Sequence, residues 1–403
     1  MSDRTAVPPT GRRLHVRVLG PGGLVPPSDA GGRRGGPVLT VRLDGVAPGT
    51  RTLLERAVRD AGGESRAGTG DAAPGALGPT IEIRATVEQL RAIGRGALRS
   101  EPGFAELAGA LDAAVAHRFH RAERVVAGLH RSFRVGGRTA VMGVVNVTPD
   151  SFSDGGRFLE PESAVSHALA LAAEGAALLD IGGESTRPGA APVPPDAEWR
   201  RVAPVLARLH GRIELPISID TRRPEVARQA LDAGADLVND VSGLRDPEMR
   251  RLLARTGAPA IVMHMRGEPA TMQQVVAYTD LVGEVYGALS DACALAESEG
   301  IAPTRLLVDP GLGFGKAPGQ NLELIAHLAE FRSLGYPVVI GASRKSFLGW
   351  VLGGAPLEER GEAGLAAAVA AALGGADVVR VHDVRPAVRA LAVADRLREL
   401  APG

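Results

Sequence analysis

The chain of 403 residues balances 46 Lys and Arg against 46 Asp and Glu, giving a formal net charge of zero. Nucleic-acid binders and proteins of anionic membranes carry a basic excess, so neither nucleic acid nor membrane is an expected partner. Hydrophobic residues make up 45% and charged residues 23%, an ordinary globular balance in a chain long enough for more than one domain. Cys293 is the only cysteine, which excludes an intrachain disulfide and fits a reducing compartment. The opening MSDRTAVPPTGRR has no apolar signal core, and the longest uncharged run, residues 363–376, falls short of a membrane span. The expectation is a soluble, cytoplasmic protein. Only Lys316 and Lys345 are lysines, the other 44 basic residues being arginine. Against that background a lysine is either a leftover surface charge or a position that needs a compact ammonium.

Residues 1–36 are rich in Gly, Pro and Arg, with clusters such as AGGRRGG, and read as a disordered arm. Residues 37–130 read as a small α/β domain. PVLTVRL (37–43) and TIEIRAT (80–86) are its strands; TRTLLERAVRDAGG (50–63), VEQLRAIGRGAL and residues 104–130 are its helices. It carries no catalytic motif. From residue 136 to 400 short β-branched runs alternate with Ala/Leu/Arg helices. The runs are TAVMGVVN (139–146), ALLDIGG (177–183), PISID (216–220), DLVND (236–240), PAIVMHM (259–265), RLLVD (305–309), PVVIGA (337–342) and DVVRVH (377–382). Eight strand–helix units in series predict a (β/α)8 TIM barrel, favoured over a doubly wound open sheet.

In such a barrel the active site lies at the C-terminal ends of the strands. The unusual residues gather there: Asn146 before TPDSFSDGG, GGESTRPG (182–189), Asp220, Asn239-Asp240, DPGLGFGK (309–316), SRKSF (343–347) and Arg380-Val381-His382-Asp383. Carboxylates, amides, lysines, arginines and a histidine in one ring suit a polar heterocycle plus an anionic group. Each has a plainer reading. Asp220-Thr221 suits a helix N-cap, and Asn239 could satisfy strand-end backbone. The glycines of DPGLGFGK could be tight turns, since the Walker spacing is absent; His382 could be a core residue and Arg187 a surface charge. Their recurrence at one end of seven of the eight strands argues against the plain reading for all of them together.

The string NVTPDSFSDGG followed in order by GGESTRPG, SIDT, NDVSG, MHMRGEP, DPGLGFGK, ASRKSF and RVHDV resembles the dihydropteroate synthase family over residues ~139–400. The resemblance implies a transferase of folate biosynthesis, a target of sulfonamides. It would join 4-aminobenzoate to (7,8-dihydropterin-6-yl)methyl diphosphate and release pyrophosphate. It further implies pterin contacts from Asp220, Asn239, Asp309, Lys345 and Arg380, whose donor and acceptor edges can pair with the heterocycle. Arg380 would also stack on one pterin face. Diphosphate contacts carry over to Asn146, Thr186, Arg187, Arg380 and His382, with Mg2+ at Asn146, and 4-aminobenzoate contacts to Phe152, Pro188, Phe314, Lys345 and Ser346. Asp220, Lys345, Arg380 and His382 are the expected catalytic set, and the loops bearing Asp150 and Asp154, and Arg187, the expected lids. The family implies a homodimer. Two rival readings are a pterin-binding methyltransferase, which has no need of a pyrophosphate site, and a catalytically silent paralogue, which should have lost anion-site residues.

Overall fold

The structure is a computed structural model that describes residues 14–19, 38–67, 79–95, 104–119, 122–148, 161–185, 192–269, 271–274 and 276–400. Two compact units divide within the helix Phe104–Phe119, between Ala116 and His117.

The first unit is an antiparallel sheet of β1 (His15–Leu19), β2 (Val38–Asp44), β3 (Glu64–Ala67) and β4 (Thr80–Thr86), in the order β1-β2-β4-β3. Helices Pro48–Asp60, Val87–Arg95 and Phe104–Phe119 accompany it, and Val41, Leu43, Leu54, Val58, Ile81, Ile83, Leu90 and Phe104 form its core. Thr86 caps the second helix reciprocally: Gln89 N–H donates to Thr86 Oγ1 (3.2 Å) while Thr86 N–H donates to Gln89 Oε1 (2.8 Å). The arm expected over residues 1–36 needs correcting at its centre. HVRVL is β1, paired from His15↔Asp44 to Leu19↔Thr40, with Val16 and Val18 buried. Five residues among glycines and prolines give little local signal; the partner strand supplies the order. The rest of that span lies outside the described residues.

The helix expected over 104–130 is also too long. It stops at Phe119, and β5 (Arg124–Ala127) and β6 (Ser132–Val135) follow as a hairpin that belongs to the second unit. The boundary expected between residues 130 and 136 therefore moves upstream. Hairpin side chains Val126, Phe133 and Val135 are buried against Met142, Leu178, Leu237, Ile261, Leu307 and Val378.

Those partners come from a parallel barrel of β7 (Ala140–Asn146), β8 (Leu178–Gly182), β9 (Ile217–Asp220), β10 (Leu237–Asp240), β11 (Ala260–Met263), β12 (Leu306–Asp309), β13 (Val339–Ile340) and β14 (Val378–Val381). The ladder runs β12-β11-β10-β9-β8-β7-β14-β13, and a parallel bridge Val308↔Val338 brings the two end strands together. All eight expected strands are present and the TIM-barrel expectation holds. Proline opens several of the surrounding helices, at Pro195, Pro224, Pro247 and Pro318. Its fixed φ suits the first turn, where its missing N–H is not needed.

The pleat then decides where the chemistry falls, because alternate side chains face the same way. Leu179, Ile219, Val238, Val262, Val308 and Val379 pack in the cluster shared with the helices. Leu178, Leu237, Leu307 and Val378 pack in the other, against the hairpin. Two residues on from these four come Asp180, Asn239, Asp309 and Arg380. One turn of the pleat converts an apolar floor into a polar pocket above it.

Candidate active site

Arg380 lies at the centre of this second layer. Its Nε donates to Asp180 Oδ2 at 2.6 Å and its Nη2 to Asp220 Oδ2 at 2.9 Å. Asn239 Nδ2 donates to the same Asp180 oxygen at 3.1 Å, while Asp180 Oδ1 is buried with no partner among the described residues. One guanidinium thus bridges two carboxyl groups. Burial pushes the Asp220 carboxyl up to about 8, helped by Asp180 and opposed by Arg380. The N-cap reading of Asp220 fails: the next helix starts at Pro224 after Arg223, and Asp220 reaches across the barrel to Arg380.

Asp309 closes the pocket on another side. Its Oδ1 accepts from Gly311 N–H at 2.7 Å; burial raises its carboxyl, and Lys345, the Gly311 N–H and Lys316 pull it back. Lys345 follows Arg344, whose left-handed φ of 61° turns the chain at the start of the helix Ser346–Val351. Lys345 Nζ donates to the Leu312 carbonyl and lies 4.7 Å from the centroid of the Phe314 ring. Burial pushes its ammonium down to about 8, Asp309 opposing and Arg380 adding to the shift.

Asn146 ends β7, half-buried and in register with Gly182. His382, just past β14, meets Ser343 Oγ through Nδ1 at 3.0 Å. Ser346 is exposed at the first position of its helix. The structure therefore joins Asp220 and Arg380 directly, brings Asn239 in through Asp180, and gathers Lys345 with Phe314; Asn146, His382 and Ser346 lie at the strand-end level. Asp150, Phe152, Asp154, Thr186, Arg187 and Pro188 lie outside the described residues. Asp180 is the residue that the sequence reading passed over. Its signal was present: a carboxylate inside the apolar strand LLDIG, two residues after inward-facing Leu178.

An acceptor-rich floor beneath a bridging arginine and a single ammonium suits a flat heterocycle that offers N–H donors on one edge. The family described as pterin binding enzyme matches residues 142–382. Dihydropteroate synthase of Synechocystis is 47% identical over 266 residues, covering 66% of this chain and 92% of that protein. Among solved structures, Xanthomonas albilineans dihydropteroate synthase with 4-aminobenzoic acid matches at a TM-score of 0.65 and 46% identity, over 69% of this chain and 100% of that one. The same enzyme in complex with 7,8-dihydropteroate matches at 0.60 and 45% identity, over 66% and 95%. Barrel, motif order and pocket agree, and the chain belongs to the pterin-binding enzyme family, as a dihydropteroate synthase and hence a transferase of folate biosynthesis.

Proposed function

We propose a division of labour within this pocket for the condensation of (7,8-dihydropterin-6-yl)methyl diphosphate with 4-aminobenzoate. Asp220 accepts from the pterin amino group and ring N–H, Asn239 and Asp309 complete the edge, and Arg380 stacks on one face. Lys345 donates to the pterin while Phe314 and Ser346 border the aminobenzoate. His382 and Arg380, with Arg187 and Thr186, take the diphosphate. The ring nitrogens push electron density to the exocyclic carbon, its bond to oxygen breaks, and the neutral aniline nitrogen forms the new C–N bond and gives up a proton. No covalent enzyme intermediate is required. Asn146 offers one neutral oxygen to a Mg2+ ion that would keep waters and phosphate ligands and neutralise charge on the departing pyrophosphate. A single amide donor suits an ion that the substrate helps to hold. The chain works in the cytoplasm as a homodimer on this reading, which the exposed apolar side chains Val393, Leu397 and Leu400 of the last helix support.

The observation that carries the assignment is the Asp180–Arg380–Asp220 bridge. It yields a test of its own. With its carboxyl pushed up to about 8, Asp220 holds a proton at neutral pH in the unliganded site. A pterin that donates to Asp220 favours the ionised form, so binding should release up to about one proton at about pH 7 and none at about pH 10. Calorimetry in buffers of different ionisation enthalpy reads this; proton uptake near neutrality contradicts the pairing. The reaction itself is checked by pyrophosphate release. Release should require both 4-aminobenzoate and Mg2+, stop with chelator, and match dihydropteroate mole for mole; substrate binding without release favours the silent paralogue.

A further inference from the structure

Two lysines stand out from 44 arginines, and the pocket accounts for only one of them. Lys316 is 2% exposed and bonds to none of the side chains assigned to substrate, meeting Phe314 only at its carbonyl. Its Nζ donates to the Gly311 carbonyl (2.9 Å), the Phe314 carbonyl (3.0 Å) and, at 3.4 Å, the His264 carbonyl, and it meets His264 Nδ1 at 2.9 Å. Four polar atoms crowd this nitrogen, and three of them are carbonyl oxygens that can only accept, which the three protons of an ammonium can serve and the two of a neutral amine cannot. Burial depresses both, Asp309 opposing and Lys345 and Arg266 adding to the shift of Lys316, and Lys316 adding to that of His264; the three carbonyls leave the proton on the lysine and His264 neutral, accepting at Nδ1. A planar arginine fork cannot converge three acceptors on one atom.

The Gly311 and Phe314 carbonyls belong to the loop that leaves β12. Gly311, Gly313 and Gly315 have φ of 71°, 82° and 66°, left-handed at alternate positions, which curls the loop around the ammonium. A Cβ at Gly311 would lie 2.0 Å from the His264 carbonyl oxygen, so the approach is as demanding as the dihedral. Each carbonyl from Gly311 to Gly315 has a donor. Lys316 serves the first and fourth, Gln273 Nε2 the third (2.8 Å) and Tyr278 Oη the fifth (2.9 Å). The second, on Leu312, accepts from Lys345, and the Phe314 ring faces the same ammonium. Lys316 therefore holds the peptide units on both sides of the two contacts that hold Lys345.

We propose that Lys316 is a positioning residue for the transfer reaction, its ammonium fixing the Gly311–Gly315 loop in the shape that aims Lys345 into the pocket. The inference rests on the assignment of Lys345 to the pocket, and a double-mutant cycle separates the two. The probe is 6-hydroxymethylpterin, titrated by calorimetry into the native chain, Lys316→Met, Lys345→Ala and the double variant. Lys316→Met should weaken binding about 10-fold in the native background and less than about 2-fold when Lys345 is already alanine. Lys316→Arg should restore little of the loss. Equal losses in both backgrounds, or no loss in a folded Lys316→Met chain, overturn the inference; a lower melting temperature with unchanged affinity does the same, as a purely structural lysine would give. Should Lys316→Met not fold, Lys316→Gln, which keeps two of the three donors, must show the same dependence on Lys345. If Lys345→Ala alone binds the probe as the native chain does, the pocket assignment fails instead.

Discussion

Replacing Lys345 or Asp220 by alanine should each lower kcat/KM by about 10²–10³-fold or more with the fold retained. Lys345 is half-buried at a helix start, and its removal leaves only the Leu312 carbonyl to be solvated. Its loss takes away the one ammonium aimed into the pocket. Asp220 is opposed by burial and by Asp180, so its removal leaves Arg380 still paired with Asp180. The carboxylate is kept for function against stability, and this gives Asp220→Asn a distinctive signature. The folded pKa lies near 8 and the ordinary value is 3.8, so between them the folded chain binds more protons than the unfolded one. Stability contributed by this group falls as pH rises through that window, and the cost is complete above it. Asp220→Asn should therefore melt about 3–6 °C higher than the native chain at about pH 8 and no higher at about pH 4, while losing activity. Near-native turnover in Asp220→Ala and Lys345→Ala, measured beside circular dichroism and melting curves, would remove the pocket from consideration.

The second large effect concerns where the barrel begins. A chain starting at Ala122 keeps the β5–β6 hairpin and should fold as an independent unit; one starting at Arg131 should not. The shorter chain loses Val126 from the apolar floor and strips β6 of its partner strand. It also takes one donor from Asp236, a fully buried carboxylate whose Oδ1 accepts from His130 N–H (2.9 Å), while Arg131 N–H (2.7 Å) and Ile217 N–H (2.8 Å) remain. One buried valine is worth about 1.5–3 kcal/mol, a lost hydrogen bond about 0.5–1.5, and the unpaired strand adds to both. Together they approach the lower end of a typical domain's stability, about 5–15 kcal/mol. The measurement is soluble yield and urea unfolding of the two truncations side by side. Equal midpoints would mean that the hairpin is ornamental.

The contrast between the two units explains what could be read from the sequence. Barrel strands such as LLVD and AIVM are buried on both faces, so continuous apolar runs announced them. The strand ends were legible because polar residues interrupt those runs at one position each. Residues whose structure depends on distant pairing were not legible: β1 gains its order from β2, and Arg124–Ala127 continued a helical spacing until the Ser132–Val135 partner claimed it. In the site, Asp220, Asn239, Asp309, Lys345 and Arg380 were found by strand-end position and by resemblance. Asp180 was missed because it lies one residue pair deeper, where a carboxylate is expected only if a cation is brought to it, and Arg380 comes from 200 positions away. Lys316 was marked by composition alone; its meaning needed the two carbonyls that the loop glycines turn towards it, and His264 beside them.

The scarcity of lysine has a consequence for the chemistry of the molecule as a reagent target. Guanidinium groups do not acylate in water, and the Lys316 nitrogen is shut in with every proton committed to an acceptor. Lys345 alone among the side-chain amines is open to solvent, and with its pKa pushed down to about 8 much of it is the free, nucleophilic amine in mildly alkaline buffer. Amine-directed acylation, which on most proteins scatters over a surface, is confined here to the chain's α-amine and one side-chain nitrogen in the pocket, and a bound ligand competes directly with the second.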